Sequence, residues 1–231
     1  MTLPEIHRFA DPAALADGAA DRVAALLAAA IAARGRASIA LSGASTPQET
    51  HRRLAARPLD WSRIDVYFGD ERCVPPDDPA SNYRMARESL LDHVPACVHR
   101  IEGELAAAEG AARYAAELEP ALPLDVVMLG MGDDGHTASL FPGAPEPPPG
   151  AIAVATESPV RPRDRVTLTY ETIRAAGARV LLVCGAGKAA RLAEVYGELM
   201  AAHPQLPIAR VGQAIWMVDE AAASQLARRT M

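Results

Sequence analysis

The sequence predicts an α/β protein built on a mostly parallel sheet with helices on both faces. Short apolar runs, many of them β-branched, alternate with longer stretches rich in Ala, Leu, Glu and Arg, which is the rhythm of strand, crossover helix, next strand. Runs such as "PLDVVMLG" are apolar almost throughout, as a strand covered on both sides has to be. The chemically unusual residues fall just after these runs, and ligands of open α/β sheets bind outside the carboxyl ends of the strands. The architecture expected is therefore Rossmann-like, with residues 1–231 forming a single domain.

Along the chain, a helix is expected over Asp11–Arg34, whose composition favours helix. A strand follows at Ser38–Gly43. In "LSGASTPQET", Thr46 reads as the N-cap of a helix over Pro47–Arg57, with Pro47 in the first turn and Glu49 completing a capping box. The strand Ile64–Gly69 runs into the charged cluster Asp70, Glu71 and Arg72, either a solvated rim or part of a site. Ser81-Asn82-Tyr83 offers a cap for a helix over Ser81–Leu91. A helix over Glu104–Leu118 precedes the strand Leu124–Gly130. "FPGAPEPPPG", residues 141–150, holds too many prolines for regular structure and reads as a surface loop or lid. Strands at Ala151–Ala155, Arg165–Tyr170 and Arg179–Gly185 come next. A helix over Lys188–Ala202, a strand at Ala214–Val218 and a helix over Glu220–Arg228 complete the pattern.

The 231 residues suffice for one sizeable core. With 23 basic and 29 acidic residues the net charge is −6, which argues against a general nucleic-acid or membrane surface. An anionic ligand would need a local basic pocket. Cys73, Cys97 and Cys184 are few and unclustered, so neither a disulfide framework nor a CxxC zinc motif is visible. The longest apolar stretch, 23–33, is shorter than the roughly 20 residues of a membrane span, and no signal pattern opens the chain. A cytoplasmic protein is expected.

Three strand ends carry candidate chemistry. Gly43, with Ser45 and Thr46 opening a helix, could let backbone N–H groups meet a phosphate at the positive helix end, or could be no more than a well-capped helix. The literal G-x-G-x-x-G of residues 130–135 invites a dinucleotide reading. Electrostatics opposes it, because Asp133 and Asp134 would repel a pyrophosphate by about 1 kcal/mol or more per close pair. "CGAGKAA" lacks the first glycine and the Ser or Thr of a Walker loop, yet Lys188 remains a cation at a helix start after a strand. His136 is the histidine set among Gly and carboxylates at a strand end. A neighbouring carboxylate can fix its tautomer and leave the other nitrogen free to take a proton from water. No second His or Cys stands at ligand spacing, so no metal is assigned.

Taken in order, "LSGASTP", "GDERCVPPDDPASNYRMA", "LGMGDDGHTASLFPG", "RVTLT" and "GAGKA" resemble the 6-phosphogluconolactonase family, and "IWMVDEAAA" resembles its ending. Two positions depart from the pattern: Ala44 replaces a usual glycine and Asp133 a common proline. The resemblance implies hydrolysis of 6-phospho-D-glucono-1,5-lactone without metal or organic cofactor, the partner being that small sugar-phosphate lactone and the protein a monomer or small homo-oligomer. It implies His136 as the base, Asp134 orienting it, and Asp70 assisting proton transfer or holding a sugar hydroxyl. Gly43, Ser45, Thr46, Arg72 and Lys188 would hold the phosphate, with Arg165 of "RVTLT" a further contact. The related glucosamine-6-phosphate deaminase/isomerase family carries a glutamate five residues after the histidine, where this chain has Phe141.

Overall fold

The computed structural model describes residues 5–199, 201 and 203–226. Its strands are β1 (Glu5–Phe9), β2 (Ala37–Leu41), β3 (Ile64–Phe68), β4 (Asp70–Arg72), β5 (Cys97–Val98), β6 (Val126–Gly130), β7 (Ala153–Glu157), β8 (Asp164–Leu168), β9 (Ala178–Val183) and β10 (Ile215–Asp219). The α-helices are α1 (Pro12–Arg34), α2 (Ser45–Ala55), α3 (Asn82–Ser89), α4 (Ala107–Leu118), α5 (Tyr170–Ala175) and α6 (Ala189–Glu198). Seven strands form one parallel sheet in the order β1-β10-β9-β6-β2-β3-β5. Every residue of β2 and β10 is buried, which is why these runs are apolar without alternation. No helix among the described residues is long and apolar enough to cross a membrane.

The expected parallel sheet is present, but two runs assigned to strands do not join it. β7 and β8 pair antiparallel and, with β4, make a separate three-stranded sheet. The reason is the length of their connection: a parallel neighbour needs a crossover of about a dozen residues or more, and the short segment between them permits only a hairpin. β1 and β5 were not expected. β1, "EIHRF", is a mostly exposed edge strand without a clear apolar face, and β5 is two residues long. The helix expected over Glu220–Arg228 is a single 3-10 turn at Ala222–Gln225, and Arg228 lies outside the described residues. α6 ends at Glu198, and Ala202, the expected end, is also outside them.

Helix α1 follows its signals closely. The Asp11 carboxylate accepts from the Ala14 N–H at 2.8 Å, Pro12 fills the first turn, and Gly35 at φ 81 closes the helix by donating to the Ile31 carbonyl at 2.7 Å. Leu15, Val23 and Leu27 are fully buried where α1 packs on β2, β9 and β10. α2 does not follow its signals: it begins at Ser45, its cap position is Ala44, and no side chain caps it. Glu49 pairs with Arg52 and Arg53 instead of completing a capping box, because Thr46 already lies inside the helix.

The two sheets meet at Gly69. Its N–H donates to the Leu41 carbonyl at 2.8 Å in the large sheet, and its carbonyl accepts from Leu168 N–H at 2.9 Å in the small one. The chain thus leaves β3 and enters β4 directly at the carboxyl edge, carrying Asp70 and Arg72 there. Beside this joint the buried Tyr114 hydroxyl accepts from the Phe68 N–H and donates to the Phe68 carbonyl, both at 2.7 Å. It satisfies a peptide group that the short β5 does not reach.

His51 on α2 is fully buried, 3.4 Å from the Ser89 hydroxyl. Burial pushes its imidazole down to about 3, with Arg52 adding to the shift. An unfolded chain takes up this proton near pH 6.5, whereas the folded chain does not until far lower. This histidine's contribution to stability is therefore complete above pH 6.5 and falls away as pH drops toward 3, by up to about 1.4 kcal/mol per pH unit. Denaturant unfolding of the wild type and of His51→Leu at pH 7, 6 and 5 should give a shallower pH slope in the variant; parallel slopes would dismiss the buried neutral imidazole.

Candidate active site

The loop after β6 is held by its own backbone. Gly132 N–H donates to the His136 carbonyl at 2.9 Å and Gly135 N–H to the Gly132 carbonyl at 3.1 Å, while Thr137 Oγ1 donates to the Gly130 carbonyl at 2.9 Å. Gly135 sits at φ 85, a left-handed conformation that suits glycine. A Cβ on Gly132 would lie 2.0 Å from His136 Nδ1, so only glycine lets the imidazole fold over the chain there. This accounts for both glycines without any phosphate-binding role.

Within the loop Asp134 Oδ1 lies 2.6 Å from His136 Nδ1 and also accepts from the His136 N–H at 3.0 Å. That contact assigns the proton to Nδ1, leaving Nε2 with no hydrogen-bond partner among the described residues. Burial raises the Asp134 carboxyl, but the hydrogen bonds from His136 outweigh it and hold the group below its ordinary value. The Phe141 ring packs on the imidazole, centroid to centroid 4.8 Å at 49°.

A cleft of about 280 Å³ lies at the carboxyl edge of the sheet, lined by Gly43, Ala44, Asp70, Arg72, Asn82, Asp133, His136 and Lys188 among others. Residues far apart in sequence thus meet in one place. An adjoining groove of about 340 Å³ shares Ala44, Arg72 and Asn82 with the cleft and adds Ser45, Gln48 and Arg84. Thr46 and Arg165 line neither. Arg165 stands opposite Arg72 across the β4–β8 ladder, is buried, and donates from Nε to the Pro162 carbonyl at 2.9 Å. Burial, with Arg72 next, lowers its guanidinium from the ordinary value.

The cations of the cleft are partly engaged. Lys188 Nζ contacts Asp133 Oδ1 at 2.5 Å, and this holds the highly exposed Asp133 carboxyl below its ordinary value. Arg72 donates to the Ala80 carbonyl at 2.5 Å, while its Nε is buried without a partner. The turn that carries Lys188 is fixed by the buried Asp219, which accepts from the N–H groups of Gly185 and Ala222.

Two residues of the site escaped sequence reasoning. Asn82 Nδ2 donates to the Asp70 carbonyl at 2.9 Å and to Asp70 Oδ1 at 3.3 Å, and its Oδ1 would be 2.2 Å from a Cβ on Gly43. Ser139 Oγ donates to Asp70 Oδ2 at 2.6 Å. The buried Asp70 carboxylate is thus fixed from both sides. "SNY" read only as a cap, and Ser139 sat unassigned in a motif dominated by His136; a polar residue inside an otherwise apolar contact zone is visible only after folding.

Comparisons with known proteins agree in kind. Residues 10–218 match the family model described as glucosamine-6-phosphate isomerases/6-phosphogluconolactonase. The 6-phosphogluconolactonase of Rhizobium meliloti (strain 1021) is 44% identical over 215 residues, covering 88% of this chain and 91% of the relative. That of Nostoc sp. is 38% identical, covering 94% and 95%. A crystal structure of a 6-phosphogluconolactonase from Shewanella baltica OS155 superposes with a TM-score of 0.86 at 32% identity, covering 94% of this chain and 97% of that one.

Ala44 bears a local strain. At φ 79 and ψ 169 it occupies a region that essentially only glycine enters, at a cost of about 1–3 kcal/mol. Ala44→Gly should raise unfolding free energy by about 1 kcal/mol despite glycine's entropy. Chemical denaturation of the two proteins measures this directly, and a less stable variant would mean the backbone at residue 44 is relaxed in solution.

Proposed function

The chain belongs to the glucosamine-6-phosphate isomerase/6-phosphogluconolactonase family, and we propose that it hydrolyses 6-phospho-D-glucono-1,5-lactone to 6-phospho-D-gluconate, a step of the pentose phosphate pathway, with His136 activating the water. The observation that carries the reading is an imidazole whose Nδ1 is fixed by Asp134, set in one cleft with Arg72 and Lys188. Nε2 takes a proton from water as the oxygen attacks the lactone carbonyl carbon. The tetrahedral intermediate then collapses by breaking the bond to the ring oxygen, which receives the proton back from the imidazolium. The product is an open-chain acid. No metal is needed to generate the nucleophile when the leaving group is already an activated ester oxygen.

Arg72 and Lys188 act as the anion clamp beside Gly43 in the cleft, with Ser45 at the start of α2 extending it into the adjoining groove, while Thr46, which lines neither cavity, has no direct part in it. To engage Lys188 the phosphate displaces Asp133, so the pair acts as an internal competitor. Arg165, buried opposite Arg72 on the β4–β8 ladder, contributes a further positive charge beside it. Asp70, held by Asn82 and Ser139, faces the cleft where a sugar hydroxyl would lie. The isomerase reading is disfavoured because the aromatic ring of Phe141 rests on His136 and cannot relay a proton. The working partner in this reading is a small sugar-phosphate lactone in the cytoplasm, not nucleic acid or membrane, and the protein acts as a monomer or small homo-oligomer.

Freshly generated lactone, followed by acid release above the spontaneous background, tests the assignment. His136→Ala should lose about 10²–10⁴-fold of the catalysed rate. Equal rates for the two proteins would remove His136 as the base. Lys188→Ala should raise KM by roughly 10-fold or more, since a charge-assisted contact contributes about 1.5–3 kcal/mol. An unchanged KM would take Lys188 out of the clamp. Amino-sugar phosphate should yield no ammonia with the wild type.

A further inference from the structure

At the other end of β3 from the cleft, three side chains of different chemistry converge. Asp65 of β3 stands opposite Cys97 of β5 in the parallel register, and His99 follows two residues later. His99 Nε2 lies 3.4 Å from Asp65 Oδ1 and 3.5 Å from Cys97 Sγ, and all three ligand atoms are within 4.8 Å of one another. Among the described residues this is the one group of three or more His, Cys, Asp or Glu side chains with donor atoms so close.

We propose that Asp65, Cys97 and His99 form a binding site for a zinc-class divalent ion, with water completing the coordination. Ligand atoms arranged tetrahedrally about 2.0–2.3 Å from a common ion are separated by roughly 3.3–3.6 Å, and the two measured edges fall in that range. The mixed carboxylate, thiolate and imidazole set suits zinc, which accepts all three. His99 is held ready to bind. Its N–H donates to the Val66 carbonyl at 2.8 Å, its ring stacks on Tyr67 at 4.5 Å and 9°, and its Nδ1 meets Glu117 Oε1 at 2.7 Å. A carboxylate on the far nitrogen of a metal-binding histidine is the usual way its ring is oriented and made more basic.

Arg36 is the group that opposes an ion here, and it is also accounted for. It forks onto Asp65, with Nη2 2.6 Å from Oδ2, so it can retain that oxygen while Oδ1 turns to the metal. With the thiol ionised, Asp65, Glu117 and Cys97 carry three negative charges, balanced by Arg36 and a dication. No CxxC pattern marks the site, because the three ligands come from two strands and the loop after the second, lie 34 positions apart at the extremes, and are brought together only by the β3–β5 pairing. An ion there would fasten the two-residue edge strand β5 to β3, and its binding energy would appear as added stability of the fold.

Cobalt(II) titration of the metal-free protein tests this apart from any catalytic assay. The expected result is one ion per chain, intense visible bands of a tetrahedral site and a near-ultraviolet thiolate-to-cobalt band, displaced by zinc. Cys97→Ser should abolish the thiolate band, and His99→Gln should weaken binding at least about 100-fold. Glu117→Gln, at an exposed position that leaves the ligands intact, should keep the band and weaken zinc about 10–100-fold. Zinc should also raise the Tm of the wild type by a few degrees and leave that of Cys97→Ser unchanged. Absence of the thiolate band in the wild type, its persistence in Cys97→Ser, or equal zinc affinity in the wild type and both ligand variants would overturn the proposal.

Discussion

The carboxylate of Glu71, almost wholly removed from solvent, is the interaction on which the cleft depends. Burial drives its pKa upward, and the N–H groups of Tyr83, Asn82 and Arg72 oppose that shift by hydrogen bonding to the charge. Those three contacts are each 2.7 Å, and the Ser81 hydroxyl adds a fourth at 3.0 Å. An acidic group at the first turn of a helix satisfies N–H groups that have no partner within the helix and meets the positive end of its dipole. Here the acid comes from β4, so the contacts from Ser81, Asn82 and Tyr83 dock α3 against that strand. Asn82 is thereby set where it can hold Asp70 and crowd Gly43.

The cleft that results is assembled from rigid parts with one adjustable contact. Asp70 is clamped by two donors, the His136 loop closes on its own peptide groups, and Asp219 pins the turn before Lys188. The Asp133–Lys188 pair, by contrast, lies in solvent on the carboxylate side, and exposed pairs of this kind contribute little to stability. Exchange of one anion for another at Lys188 is therefore cheap for the fold. The geometry of the imidazole is not at stake in that exchange, because its orientation comes from Asp134.

The parallel sheet was legible because buried strands need uninterrupted apolar runs and crossover helices need length, and both leave marks in sequence. β7 and β8 were legible as strands, but their sheet was not, since their third partner is the three-residue β4 and so short a strand has no periodicity. The α2 cap misled for a related reason: Thr46, Pro47 and Glu49 satisfy the local pattern, yet the turn at Ala44 starts the helix earlier at the expense of backbone strain. His136, Lys188, Arg72 and Asp70 could be picked out by chemistry at strand ends. The roles of Asn82, Ser139 and Asp219 could not, because each depends on which distant peptide group or carboxylate the fold brings near.

The margins of the large sheet are closed by different means. At β1 the outer residues Glu5, His7 and Arg8 are solvated, and charged edge strands discourage pairing with a foreign chain. At the β3 margin, past the short β5, Tyr114 occupies both the donor and the acceptor of Phe68. A phenol in that position acts as a molecular plug: an incoming polypeptide finds neither the donor nor the acceptor of Phe68 free to form the first rung of a ladder.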